Sequence, residues 1–285
     1  MHIQSLVSQP IEGIHASCSP DDVMRQVNGL IQDSFSEQID ASKVLNFCNE
    51  AVKYHFASTV QQFRTKVCLD ACMKLSIFYD DMLILASIVE LLHNASLIHD
   101  DIQDGEETRR NQPTVWKQFG VNIAICAGDL LISMAYGVSA GYSQPKLLPK
   151  LISVIQAKTT SAIEGQSKDI DYKNSPDISI QDYIQIATQK SGSLLNLPIE
   201  LALIAAERNA FIELARKAST HFAIGYQMAD DLDDLDDLDD IIKDSGNQTV
   251  SPSVNITLLL KSLGYTNPQQ EAVAMCNCYL NNAIN

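Results

Sequence analysis

The sequence predicts an all-α fold, a single helical domain over residues 1–285. Glycine and proline number only 12 and 9 in the 285 residues, too few to punctuate many short strands. No stretch shows the apolar–polar alternation of a half-buried strand. Hydrophobic residues make up 46% of the chain, enough for a sizeable core at this length.

Residues 1–20 are polar and read as a loose segment. After Pro20, Asp21 and Asp22 are placed to cap a helix running to about Ser36. Residues 42–57 and 61–78 read as two further helices. Met82–Gln103 is long, strongly apolar and free of glycine and proline. It predicts a buried central helix with His93, His99, Asp100 and Asp101 toward its C-terminal end. Residues 105–113 form a charged loop. Helices follow at 114–120 and 123–141, the second interrupted near Gly128, and then at 147–165, 179–208 and 210–238. A loop with Gly246 and Pro252 spans 243–253, and two short helices close the chain.

The formal net charge of −15 repels nucleic acid and anionic lipid, which excludes both as bulk partners. Part of that charge is concentrated in the run Asp230–Asp240. The seven cysteines (Cys18, Cys48, Cys68, Cys72, Cys126, Cys276 and Cys278) are odd in number and lack zinc-ribbon spacing, so free thiols in a reducing cytoplasm are expected. The opening MHIQSLVSQP lacks the basic and apolar regions of a signal peptide. No run of 18 apolar residues occurs, so no transmembrane helix and no stable membrane insertion are expected.

The chemistry lies in two carboxylate clusters. In His99-Asp100-Asp101-Ile102-Gln103-Asp104, helical geometry stacks Asp100 and Asp104 on one face with Asp101 about 100° away. Carboxylates gathered this way repel one another unless solvated or neutralised by cations. Hard oxygen ligands suit Mg²⁺, which commonly bridges carboxylates to substrate phosphates. Arg109 and Arg110 follow, and guanidinium forks match diphosphate oxygens. The second cluster repeats the spacing at Asp230, Asp231 and Asp234. The later Asp236–Asp240 drift around the helix and read as a solvated acidic run.

At these residues the sequence resembles the trans-polyprenyl diphosphate synthases, the family of geranylgeranyl and farnesyl diphosphate synthases. The likeness rests on Glu90-Leu-Leu-His-Asn-Ala-Ser-Leu-Ile-His-Asp-Asp-Ile-Gln-Asp104 followed by Arg109-Arg110-Asn-Gln-Pro-Thr-Val115. It continues through Phe119-Gly120, Ala127-Gly128-Asp129-Leu130-Leu131, Gly165-Gln166 with Asp169, Tyr183 with Lys190-Ser191, and Gly225-Tyr226-Gln227. It covers roughly residues 42–245.

The resemblance implies a helical bundle of the isoprenoid synthase type with a central apolar cavity. It implies Mg²⁺-dependent condensation of an allylic diphosphate with isopentenyl diphosphate by a homodimer. Asp100, Asp101 and Asp104 would bind Mg²⁺ on one side of the allylic diphosphate, and Asp230, Asp231 and Asp234 on the other, three ions per site. Arg109 and Lys190 would clamp that diphosphate, with Ser191, Gln227 and Lys243 assisting. Arg64, Arg110 and His93 would contact the isopentenyl diphosphate, while His99 would be structural. Leu92, Ala95 and Ser96, below the first aspartates, would set chain length. Small side chains at Ala95 and Ser96 imply a product of twenty carbons or more.

The sequence departs from the family in one half of the site. The Gly-Gly-Lys-Arg-x-Arg-Pro motif that helps hold isopentenyl diphosphate is replaced by Ser58-Thr-Val-Gln-Gln-Phe-Arg-Thr65, where only Arg64 survives in register and Gln61 stands for the lysine. After the second cluster only Lys243 and Gly246-Asn-Gln-Thr249 remain of the expected Gly-Lys features. Two alternatives therefore stand beside the synthase. One is a class I terpene synthase that ionises a prenyl diphosphate without a second substrate. The other is a non-catalytic subunit of a heteromeric synthase.

Overall fold

The computed structural model describes residues 20–36, 45–58, 62–172, 177–245 and 254–284, without the side chains of 20–21, 32–36, 45–46 and 234–245. The segment expected to be loose, Cys18, the stretch Thr59–Gln61, the loop 246–253 and the side chains of Asp234 and Lys243 thus lie outside the described residues. The chain divides into two compact units interleaved in sequence, 1–155 with 197–209 and 156–196 with 210–285.

The first unit holds α1 (Pro20–Ser36), α2 (Leu45–Ala57), α3 (Phe63–Lys74), α4 (Tyr79–Asp104), α5 (Val115–Phe119) and α6 (Val121–Ser139). Its centre is α4, whose residues Met82–Leu92 are buried without interruption. A helix apolar all round must be enclosed, and α4 packs against α6, α3 and α1. Helix α4 ends at Gly105, which takes the left-handed conformation at φ 70° and donates its N–H to Asp101 O. That is the usual glycine stop, because a Cβ is disfavoured there.

The second unit draws on α7 (Leu148–Tyr172) from Gln156, α8 (Ile180–Ala205) up to Asn196, α9 (Ile212–Ser245), α10 (Ile256–Ser262) and α11 (Pro268–Ile284). Its core gathers Tyr183 and Ala187 of α8, Ile224 and Met228 of α9, Ile256, Leu259 and Leu260 of α10, and Ala272 and Cys276 of α11.

Four expectations need correction. Pro20 itself opens α1, so Asp21 and Asp22 lie in its first turn instead of capping it; proline suits that position because its missing N–H has no helical partner. The region 105–113 is not only loop, since Thr108–Arg109 pairs antiparallel with Gln112–Pro113. Helix α6 runs unbroken through Gly128. A Cβ at Gly128 would lie 2.2 Å from His99 Nε2, so glycine is needed there for close packing against α4, not for a break. Finally, although no run of 18 apolar residues occurs, α4 and α6 are long and apolar enough by composition to cross a membrane. For α4, 78% of the apolar window is buried inside the protein, as in a core helix, against 33% for α6. Val121 and Ile125 of α6 are exposed.

The six described cysteines are free thiols, with Cys68, Cys72 and Cys276 buried.

Candidate active site

In the first unit, the last turn of α4 carries Asp100, Asp101 and Asp104 and no basic residue. Three acids at the negative end of a helix dipole are unfavourable by themselves, so this terminus demands cations from elsewhere. One comes from the hairpin. Asp101 is 1% exposed, and its Oδ1 accepts from Arg109 Nε at 2.8 Å and lies 2.6 Å from Arg109 Nη2. Burial raises the Asp101 carboxyl above its ordinary range, the Arg109 hydrogen bond opposes that, and Asp104 adds to the rise. Asp100 and Asp104 are half-buried, with surface left to solvent.

The hairpin is held from several sides. Tyr54 OH donates to Pro113 O at 2.8 Å, and Thr114 Oγ1 and Trp116 Nε1 both donate to Glu106 O at 2.8 Å. The register pairs Arg109 with Gln112, leaving a two-residue turn at Arg110 and Asn111 with φ 53° and 62°. Two positive φ angles define a type I′ turn, which favours Asn and Gly and is strained for arginine. The strain projects Arg110, whose Nη1 donates to Ser58 O at 3.4 Å.

A cationic group forms beside it. Arg64 Nη1 contacts His93 Nε2 at 3.1 Å, which requires that nitrogen to accept and leaves the ring neutral. Burial, then the charges of Arg64 and Arg110, push the His93 pKa well below its usual value. Arg110 is itself lowered, by burial and by Arg109. Cations whose neighbours disfavour their charge form a site that an anion would relieve. Leu92 and Ala95 are buried one to two turns before Asp100, and Ser96 Oγ donates to His93 O at 2.8 Å.

In the second unit, a close helix approach sets the geometry. A Cβ at Gly165 would meet Lys190 N at 2.3 Å, so only glycine lets α7 come this near to α8. One turn along α7, the buried Asp169 receives Lys190 Nζ at 2.6 Å, while its other oxygen accepts from Val254 N at 3.0 Å. Ser191 Oγ donates to Gln227 Oε1 at 2.9 Å, and Gln227 Nε2 donates to Asp231 Oδ1 at 3.0 Å.

Asp231 is 1% exposed. Its Oδ2 accepts from Tyr183 OH and from Ile256 N, both at 2.8 Å. Burial pushes its carboxyl up to about 6 despite these hydrogen bonds. Asp230, by contrast, is exposed; burial and Asp233 raise its carboxyl.

The two motifs thus divide labour alike. The middle aspartate, Asp101 or Asp231, is buried and anchors a later segment of chain. Asp100 and Asp104 are half-buried, and Asp230 is exposed. Among the described residues no group of three or more His, Cys, Asp or Glu could hold a metal unaided. A pair of carboxylates still fits Mg²⁺, which takes few protein ligands and completes its shell with water and phosphate oxygens.

Sequence reasoning did not single out the network behind the cationic group. Glu90, 1% exposed, accepts from Gln62 Nε2 at 3.1 Å, from Asn94 Nδ2 at 2.8 Å and from Thr65 Oγ1. Asn94 Oδ1 in turn meets His55 Nε2 at 2.9 Å. A Glu and an Asn four residues apart on an otherwise apolar helix was the available signal.

A model of the polyprenyl synthetase family matches residues 46–275. The geranylgeranyl diphosphate synthase of Mycobacterium tuberculosis is 32% identical over 149 residues, 52% of this chain and 43% of that protein. A short chain isoprenyl diphosphate synthase of Methanocaldococcus jannaschii is 31% identical over 158 residues, 54% and 47% of the two. The matched stretch spans about half the length of these relatives. Among solved structures, geranylgeranyl pyrophosphate synthetase from Geoglobus acetivorans superposes with a TM-score of 0.74 at 19% identity, covering 92% of this chain and 91% of that one. Geranyltranstransferase from Thermotoga maritima gives 0.74 at 21% identity over 93% and 90%. These likenesses show the all-α isoprenoid synthase fold, and with a family match over most of its length the chain belongs to the polyprenyl synthetase family.

Proposed function

We propose that the protein is a Mg²⁺-dependent prenyltransferase that condenses an allylic diphosphate with isopentenyl diphosphate to a trans-polyprenyl diphosphate of twenty carbons or more. One observation carries this most directly. Within the first unit, an acidic helix end with half-buried Asp100 and Asp104 adjoins a cationic group of Arg64, Arg109 and Arg110 around a neutral His93.

Mg²⁺ held by Asp100 and Asp104 in the first unit would supply charge neutralisation to the departing diphosphate, and Asp230 in the second unit is the carboxylate that the family resemblance assigns to a further ion. Arg109, set by Asp101, presents a fixed cation to that developing charge without reorganising; in the second unit Lys190 is set in the same way by Asp169. Arg64 and Arg110 bind and orient the second diphosphate, and His93 offers a hydrogen bond without adding charge. Holding the reactants in line converts an encounter in solution into a unimolecular step, and the central apolar cavity that the family resemblance implies would protect the allylic cation from water.

The grouping of Arg64 and Arg110 around a neutral His93 favours two substrates over ionisation of one, because it adds two guanidinium groups beyond the one paired with Asp101. The family resemblance supports a homodimer in the cytoplasm, and the exposed apolar flank of α6 supports a partner copy; sedimentation at rising concentration tests it.

The deciding experiment incubates the protein with farnesyl diphosphate and Mg²⁺, with and without isopentenyl diphosphate. Elongated product only with both supports the synthase. Hydrocarbon or alcohol from the allylic substrate alone identifies a terpene synthase, and no turnover identifies a non-catalytic subunit. Ala95→Phe, filling the floor below Asp100, is expected to shorten the product; an unchanged product distribution refutes the chain-length assignment.

A further inference from the structure

Glu90 is a buried carboxylate with only neutral donors. Gln62 and Thr65 reach it from the start of α3, and Asn94 from the next turn of α4. Gln62 is held in turn by Asn28 of α1, to whose Oδ1 it donates at 2.8 Å. All three groups donate to Glu90 in this arrangement, as suits a carboxylate that only accepts. Burying a charge against neutral partners is costly, and such a charge acts on whatever ions lie near.

The ions near it are those of the cationic group. Thr65 is the neighbour in sequence of Arg64, and His93 stands three residues after Glu90, on the same side of α4. Glu90 also ranks, with Asp101, among the anions acting on the Arg110 guanidinium. Asp101 is already committed to Arg109. We propose that Glu90 is a positioning residue whose hydrogen bonds hold Arg64 in place beside His93 and whose buried negative charge limits how tightly that site retains a diphosphate. The inference rests on Arg64, His93 and Arg110 forming the anion site described above.

Two effects of opposite sign follow. The hydrogen bonds of Glu90 lock α3 against α4 and so fix Arg64 beside His93. Its charge repels an arriving diphosphate and favours release. Glu90→Gln separates them. A glutamine oxygen still accepts from Gln62 and Asn94, and its amide donates to Thr65, whose hydroxyl can turn to accept. Only the charge is lost.

The test measures binding of inorganic pyrophosphate, without metal, by titration calorimetry on the full chain. Glu90→Gln is expected to bind about 3- to 20-fold tighter at an unchanged melting temperature, a gain that loosened structure does not produce. In turnover its KM for isopentenyl diphosphate falls while the KM for the allylic substrate stays put. Asn94→Leu, which removes a hydrogen bond and keeps the charge, is expected to melt lower and bind no tighter. Equal or weaker pyrophosphate binding by Glu90→Gln overturns the proposal, as does tighter binding by Asn94→Leu. If Arg64→Ala binds pyrophosphate as the wild type does, the anion site itself is misplaced and the proposal falls with it.

Discussion

The contact between Gly128 and His99 yields a prediction whose sign reverses with background. A Cβ built on Gly128 lies 2.2, 2.6 and 2.8 Å from three atoms of the His99 ring, where ordinary contact begins at 3.4 Å. The worst overlap is therefore 1.2 Å. Overpacking of this kind costs about 1–3 kcal/mol, while replacing glycine by alanine inside a helix contributes about 1 kcal/mol of stability. The ring is held loosely, 3.4 Å from Ile125 O and 3.7 Å from Asp129 Oδ1, so part of the clash is relieved by rotation. Gly128→Ala alone is expected to cost up to about 2 kcal/mol. In a His99→Ala background nothing opposes the new methyl group, and the same substitution should stabilise by about 0.5–1 kcal/mol. Urea unfolding of the four proteins of this cycle, at constant m-value, measures both numbers. A stabilising Gly128→Ala in the wild type, or an equal cost in both backgrounds, refutes the packing role assigned to Gly128.

Four further outcomes follow from the geometry. At Gly165 the obstacle is the Lys190 backbone, which cannot rotate away, so Gly165→Ala should cost about 3 kcal/mol or more and also weaken the Lys190–Asp169 pair, checked by melting and by KM for the allylic diphosphate. Asp230→Asn should cut kcat about 10²–10³-fold with little change in melting temperature. Asp231→Ala, which strands Tyr183 OH and Ile256 N–H, should lose about 2–5 kcal/mol of stability. The fourth outcome concerns pH. The His55 pKa is lowered to about 4, mainly by burial, below an unfolded value near 6.5, so its contribution to stability is complete above pH 6.5 and falls by about 3 kcal/mol toward pH 4. The Asp231 carboxyl is raised to about 6, so its ionised form costs about 3 kcal/mol at neutral pH, relieved as pH falls toward 4. Relative to wild type, His55→Gln should gain stability on acidification and Asp231→Asn should lose it; parallel profiles for both variants and the wild type would refute these assignments.

The family resemblance rests on residues that the sequence shows directly, but several of them are in place for reasons that spacing does not reveal. Gly128 looked like a helix interruption because glycine is a poor helix former; the His99 ring, 29 positions earlier in α4, explains it. The hairpin at 108–113 escaped notice because two-residue strands carry no period, and its turn places an arginine where Asn or Gly is usual. Glu90 was quoted only as the start of a motif, although its partners at Gln62 and Thr65 fall where the sequence departs from the family.

Local spacing alone determined that the chain is helical and that Asp100 stacks with Asp104, because a helix repeats every 3.6 residues whatever surrounds it. It could not distinguish Asp101 from Asp100, or Asp231 from Asp230. That choice was made by Arg109, Tyr183 and Ile256, segments that reach the aspartates only once the chain has folded. Desolvation depends on every neighbour in space, and so burial, not sequence position, decided which aspartates became anchors and which kept surface toward solvent.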